Sequence, residues 1–288
     1  MRLALGTVQF GMNYGIANQL GQVPGDEIKA MLRRAAATGV DTLDTAINYG
    51  ESELRLGEAG VEDFRIVTKL PAIPDGCGDV TSWVRGQVSA SYSRLGVSRV
   101  YGLLLHRPDQ LLGSNGATLL QSLKDLKSSG NVLKIGVSIY DPGELEAITK
   151  LFVPDLVQAP FNLVDRRLQT TGWLRRLKDS GVEVHTRSAF LQGLLVMQNT
   201  TRPIKFAPWN SLWDRWCAWL AHLNVSALQA ALAFPLGFSE IDRVVVGADS
   251  LEQLAQIIDA ASSITPADWP DLQCDDENLI NPSRWTNL

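Results

Sequence analysis

Short apolar runs recur along this chain at intervals long enough to hold a helix between each pair, and that spacing limits the folds open to it. The runs are residues 3–5, 40–44, 65–69, 101–106, 134–138, 155–158, 182–187 and 243–247. Each has the length of a strand, and most lack polar/apolar alternation. Strands covered by helices on both faces read this way, as in parallel sheets. Amphipathic stretches lie between them. Residues 26–38 put Ile28, Leu32 and Ala35 on one face, with Gly39 as a stop. Residues 83–95, 119–128, 143–151, 168–180 and 251–261 read similarly, and Gly96, Gly130 and Gly181 follow three of them directly. This alternation predicts an α/β fold, a closed (β/α)8 TIM barrel, with a doubly wound sheet as the alternative.

Two stretches break the rhythm. Residues 189–241 are too long for one loop and one helix. They carry Pro203, Pro208 and four tryptophans (209, 213, 216, 219) before a second helical run at 226–234. This reads as an extended loop and helix insertion between strands seven and eight. The tail, 265–288, holds Pro266, Pro270 and Pro282 and is expected to wrap the surface. No linker or low-complexity tract interrupts the chain, so residues 1–288 read as one domain. The length of 288 residues suits this, since α/β barrels run to roughly 250 residues as one unit.

Composition narrows the function classes. The net charge is −5 and no stretch concentrates Lys and Arg, which argues against nucleic acid or an anionic membrane as partner. No window reaches the roughly 20 apolar residues of a membrane span, and the N-terminal apolar run is too short for a signal peptide. Cys77, Cys217 and Cys274 lie far apart with no CxxC pair. Neither a metal site nor a disulfide framework is suggested, and reduced thiols in a cytoplasmic setting fit best.

In TIM barrels the chemistry sits where the strands end. Strand two ends in Asp44, strand three in Lys69 and strand four in His106, while Tyr49 lies five residues past Asp44. Strands five to seven end in Ser138, Gln158 and Arg187–Ser188. A carbonyl taking up hydride needs a proton on its developing alkoxide. Tyrosine can supply it, but a phenol that ionises near pH 10 is a sluggish acid at neutral pH. A neighbouring ammonium favours the phenolate, and a carboxylate keeps that ammonium charged. An imidazole can donate to the carbonyl and orient it. Singly, Asp44 and Lys69 could be a structural ion pair, His106 a core histidine and Tyr49 a packing residue. Together, at adjacent strand ends, one proton-transfer scheme accounts for all four.

The segments GVDTLDTAINYGESE, IVTKL, LLLHRP, GNVLKIGVS, LVQAPFNLVDRR and VVVGADSLEQL, taken together, resemble the aldo/keto reductase family over nearly the whole chain. The resemblance implies an NAD(P)H-dependent oxidoreductase acting on a small-molecule aldehyde or ketone, with Asp44, Tyr49, Lys69 and His106 as its catalytic tetrad. It implies an NADPH-type cofactor, with NADH as the alternative, extended across the barrel mouth. No strand–GxGxxG–helix unit of the Rossmann kind is present. By resemblance, Ser138 and Gln158 hold the nicotinamide carboxamide. Arg187 takes the place where many relatives stack a Tyr on the ring. Ser188, Leu191, Gln192 and Gly193 match the pyrophosphate-clasping loop, and Gly247, Ser250, Gln253 and Gln256 the adenosine end. Ile139 stands where many relatives have Asn. Relatives that prefer NADPH usually carry a basic residue around 247–256, where this chain has Asp249 and Glu252, so weaker 2′-phosphate discrimination is expected.

The substrate pocket is expected from residues 8–14, 47–48 and 107–108 and from the tryptophan-rich insertion, although a stripe of tryptophans three apart is more often packing. The opening LGTVQFGMNYGI resembles a branch associated with sugar metabolism, which points to a keto-sugar. Two other readings compete: a cofactor-binding regulatory or partner subunit with little turnover, and a Schiff-base lyase or isomerase using Lys69. Asp44 opposes the latter, because it keeps the lysine protonated and non-nucleophilic.

Overall fold

Eight parallel strands close into a barrel in the computed structural model of the chain, which describes residues 1–262, 266 and 268–287. In chain order they are β1 (Leu3–Gly6), β2 (Thr42–Asp44), β3 (Arg65–Leu70), β4 (Val100–Leu105), β5 (Val132–Ser138), β6 (Leu156–Pro160), β7 (Glu183–Arg187) and β8 (Arg243–Gly247). Each pairs with its sequence neighbour, and β8 returns to β1 with Gly6 opposite Gly247. Closure, rather than an open doubly wound sheet, is the observed topology.

The strands are buried on both faces, which is why their sequences lack alternation. Side chains two apart share a face. Val67, Leu104 and Leu156 form a small cluster inside the barrel, and the next residues of the same parity are Lys69, His106 and Gln158. The interior is therefore plugged by apolar side chains, with a polar layer at its C-terminal end. A much larger cluster packs the outer faces of the strands against the helices.

Helix boundaries follow local chemistry. Gly25–Ala37 begins after Pro24, has Asp26 and Glu27 in its first turn, and buries Ile28, Met31, Leu32 and Ala35. Val80–Leu95 starts three residues before the predicted 83, because the Asp79 side chain accepts from the Ser82 N–H. It ends at Gly96 in the left-handed conformation. The helix expected over 168–180 is instead two pieces, Arg167–Thr170 and Trp173–Asp179, broken by left-handed Gly172.

Besides the single turns Val8–Gly11 and Glu277–Ile280, a longer helix lay outside the sequence reading. Ser52–Ala59 buries Ser52, Glu53 and Leu56. Its inward face is anchored by a carboxylate rather than by an apolar stripe: Glu53 accepts from Thr68, Ser91 and Arg94. Apolar periodicity could not reveal it.

Between β7 and β8 lie three 3₁₀ turns and the helices Asn210–Leu223 and Ala227–Leu236, the second opened by a Ser226/Gln229 capping box. Trp213 and Trp216 are buried and donate to the carbonyls of Phe206 and Leu195. Trp219 stacks between Trp216 and Trp269. The tryptophan stripe is core. Of the tail, Thr265, Ala267 and Leu288 lie outside the described residues. Further along it, Cys274 N–H donates to the Val164 carbonyl, and Trp285 is buried against Phe206.

Candidate active site

A cavity of about 710 Å³ opens at the C-terminal end of the barrel, within the size range of small-molecule sites. Asp44, Tyr49, His106, Ser138, Gln158, Arg187, Ser188, Gln192, Gly193, Gly247, Gln253 and Gln256 all line it. Three of the residues assigned to catalysis or cofactor binding from the sequence do not. Lys69 is fully buried behind Asp44. Leu191 is buried in its loop. The Ser250 hydroxyl caps the helix Leu251–Ala260 by accepting from the Gln253 N–H.

The centre is a buried ion pair. Lys69 Nζ donates to Asp44 Oδ2 at 2.7 Å and to the Thr45 carbonyl at 2.9 Å. Gln158 Nε2 donates to the other carboxylate oxygen at 2.6 Å. Burial, the largest single influence, pushes Lys69 toward its neutral form, but the charge and hydrogen bond of Asp44 together with the nearby Tyr49 hold the ammonium above its ordinary range. The ammonium stands 5.1 Å from the centroid of the Tyr49 ring. His106 meets that ring edge-on, 5.9 Å between centroids. Burial, followed by the charges of Lys69 and Arg187, lowers His106 to about 4, so the imidazole is neutral at pH 7. Its Nδ1 is buried without a partner.

The loop carrying Tyr49 is seated by close backbone contact. At Gly11 an added Cβ would stand 1.8 Å from the Tyr49 carbonyl oxygen, and the Glu51 N–H donates to the Gly11 carbonyl. Only glycine fits there. Thr7 and Ser52 hydroxyls lock the turn from below: Thr7 donates to the Asp44 carbonyl and Ser52 to the Thr7 carbonyl.

The wall after β7 is conformationally unusual. Ser188, Leu191 and Gln192 have φ of 63°, 49° and 51°, with Gly193 at 98°. Non-glycine residues rarely adopt this region, and clusters of them mark ligand-holding loops. Asn162 Nδ2 holds the turn by donating to the Ser188 carbonyl. At Gly193 a Cβ would lie 2.3 Å from that of Ala17, so the loop closes against the segment after β1. Gln192 Nε2 donates to Tyr14 Oη across the same gap.

Two buried amide oxygens in the cavity wall, Gln158 Oε1 and Gln9 Oε1, have no partner in the protein. Unmet acceptors of this kind call for a donor from a ligand. A nicotinamide carboxamide offers such an N–H, so the donor set at Ser138 and Gln158 fits that group. At the other end Asp249 lines the cavity, with Gln9 and Gln253 against it. Burial raises the Asp249 carboxyl above its usual range, with hydrogen bonds from these two glutamines opposing.

Of the expected substrate-contacting segments, Val8, Gln9 and Tyr14 line the cavity, whereas residues 47–48 and 107–108 do not. Tyr140 was not anticipated. It lies two residues past Ser138 and stacks under the Arg187 guanidinium at 4.4 Å. Its place just beyond a strand end was the available signal. Among the described residues no group of His, Cys, Asp and Glu is arranged to hold a metal ion.

A sequence profile of the aldo/keto reductase family matches residues 2–273. The L-glyceraldehyde 3-phosphate reductase of Escherichia coli is 26% identical over 297 aligned residues, covering 88% of this chain and 82% of that protein. The NADH-specific methylglyoxal reductase of the same organism is 24% identical, covering 80% and 81%. An aldo-keto reductase from Bacillus halodurans in its holo form superposes with a TM-score of 0.73 at 18% identity, over 92% of this chain and 88% of that one.

Proposed function

The chain belongs to the aldo/keto reductase family, and from that premise we propose that it reduces an aldehyde or ketone to an alcohol with a nicotinamide dinucleotide cofactor. The observation that carries the reading is the Asp44–Lys69 pair behind Tyr49, with His106 at the edge of the same ring.

When bound, the cofactor supplies hydride. The chain supplies the proton and the geometry. Tyr49 Oη gives its proton to the developing alkoxide. Lys69 stabilises the phenolate left behind, and Asp44 keeps Lys69 charged where burial would neutralise it. His106, neutral, donates an N–H to the carbonyl oxygen and so holds its reactive face toward the cofactor. Gln158 links the two halves, with its Nε2 on Asp44 and its Oε1 free for the carboxamide, beside Ser138. The left-handed loop 188–193 is assigned to the pyrophosphate, and Gly247, Gln253 and Gln256 to the adenosine end, with Ser250 acting indirectly as the helix cap.

Asp249 bears on cofactor choice. A carboxylate in the cavity wall suits a ribose hydroxyl and repels a 2′-phosphate, so NADH is used at least as well as NADPH. A keto-sugar is the substrate class to which the resemblance of residues 5–16 points. The E. coli relative whose name specifies L-glyceraldehyde 3-phosphate supports the same class.

The test is oxidation of NADH and NADPH by wild type and Tyr49→Phe against a panel of hydroxylated aldehydes and ketones. Loss of the proton donor lowers kcat by about 100-fold or more while cofactor affinity holds. Full activity in Tyr49→Phe refutes the assignment. Tight cofactor binding by a wild type that turns over no carbonyl favours the regulatory-subunit reading instead.

A further inference from the structure

Arg187 is the charge at the site that the proton-transfer scheme leaves unused. It stands at the top of β7, lines the cavity, and lies close enough to Lys69 and His106 to disfavour their charged forms. Its guanidinium is immobilised: Nη2 donates to the Ile139 carbonyl at 3.0 Å, Nη1 approaches the Ser188 hydroxyl at 3.4 Å, and the Tyr140 ring lies beneath at 4.4 Å. Among the described residues it pairs with no carboxylate. The other charges at this end cancel, since Lys69 is matched by Asp44 at 2.7 Å and His106 is neutral. Asp249 is engaged with Gln9 and Gln253, past β8. This end of the cavity therefore carries about one net positive charge, fixed at Arg187.

We propose that Arg187 sets which redox form of the cofactor the protein holds, disfavouring the cationic oxidised ring and favouring the uncharged reduced one. The inference rests on the cofactor reading above. A ring placed to serve a carbonyl between Tyr49 and His106, with its carboxamide at Ser138 and Gln158, sits within the field of the Arg187 guanidinium. Hydride transfer to the carbonyl leaves that ring with a full positive charge. Two like charges at the floor of a partly enclosed cavity, where the effective dielectric is below that of water, repel each other. The overall equilibrium of the reaction is untouched. What changes is relative affinity, so the protein loads reduced cofactor and sheds the oxidised form.

Calorimetric titration of NADH and NAD⁺, and of NADPH and NADP⁺, into wild type, Arg187→Gln and Arg187→Lys tests this without turnover. Wild type binds the reduced form more tightly. Arg187→Gln lowers the ratio of the two dissociation constants by about tenfold or more, and Arg187→Lys retains most of it. Equal affinity for the two forms in wild type overturns the proposal even if Arg187→Gln fails to fold. Equal weakening of both forms in Arg187→Gln also overturns it, because it shows a purely structural role. A wild type that binds none of the four nucleotides defeats the cofactor reading itself.

Discussion

Replacing Asp44 by Asn keeps the shape of the site and removes the charge on which Lys69 depends. Both side chains are nearly inaccessible, at 1% exposure for Lys69 and 6% for Asp44, so the small values measured for surface ion pairs do not apply. Breaking a buried pair typically costs about 3–5 kcal/mol, because one charge is left uncompensated. The amide also cannot serve both donors now aimed at the carboxylate. Its single oxygen can accept from Lys69 or from Gln158, and its NH2 faces the other donor.

The pH dependence carries the sharper signature. In wild type the Lys69 ammonium is raised above its unfolded range. Its contribution is fully present below about pH 10.4 and is lost only as pH rises through the folded value, so it adds no slope near neutrality. In Asp44→Asn burial, helped by the Arg187 charge, is opposed only by Tyr49, which stays uncharged at neutral pH, and the folded pKa drops below the unfolded one. The unfolded state then binds the extra proton, and stability rises with pH by up to about 1.36 kcal/mol per unit. Urea melts from about pH 6 to about pH 9 at constant ionic strength read both effects. Adding Lys69→Met to Asp44→Asn removes the stranded charge and recovers most of the loss. A loss under about 1 kcal/mol, or a variant profile parallel to wild type, refutes the argument that Asp44 is what keeps Lys69 charged.

Two further outcomes follow from the same geometry. His106, at about 4 when folded, takes up a proton later than it does in the unfolded chain, so stability falls as pH drops from about 6.5 to about 4, by up to about 3 kcal/mol. His106→Gln removes this acid limb, and urea midpoints that stay parallel to wild type across that range contradict it. Asp249→Arg turns a repelling carboxylate into a partner for the 2′-phosphate, raising kcat/KM with NADPH relative to NADH by about tenfold or more. An unchanged ratio shows that Asp249 does not face the ribose.

Much of this was legible because local chemistry and global topology agree. Eight two-sided apolar runs separated by amphipathic segments can be satisfied by helices on a parallel sheet, and the last inward-facing residue of each run falls at the barrel mouth whatever the details of packing. That is why Asp44, Lys69, His106, Ser138, Gln158 and Arg187 could be picked out as strand-end residues. The helix Ser52–Ala59 was not legible, since the contacts of Glu53 come from Thr68, Ser91 and Arg94, distant in sequence. The break at Gly172 was hidden within an otherwise helical pattern.

From the sequence alone came the strand–helix rhythm, the order of polar residues at strand ends, and the absence of a basic residue between 247 and 256. Tertiary structure decided the closure of β8 onto β1, which of those residues face the cavity, and the charge state each is held in. The physical reason is range. Periodicity and capping act over a few residues, whereas the burial of Lys69, its pairing with Asp44, the neutral state of His106 and the uncompensated charge of Arg187 depend on which distant strands become neighbours.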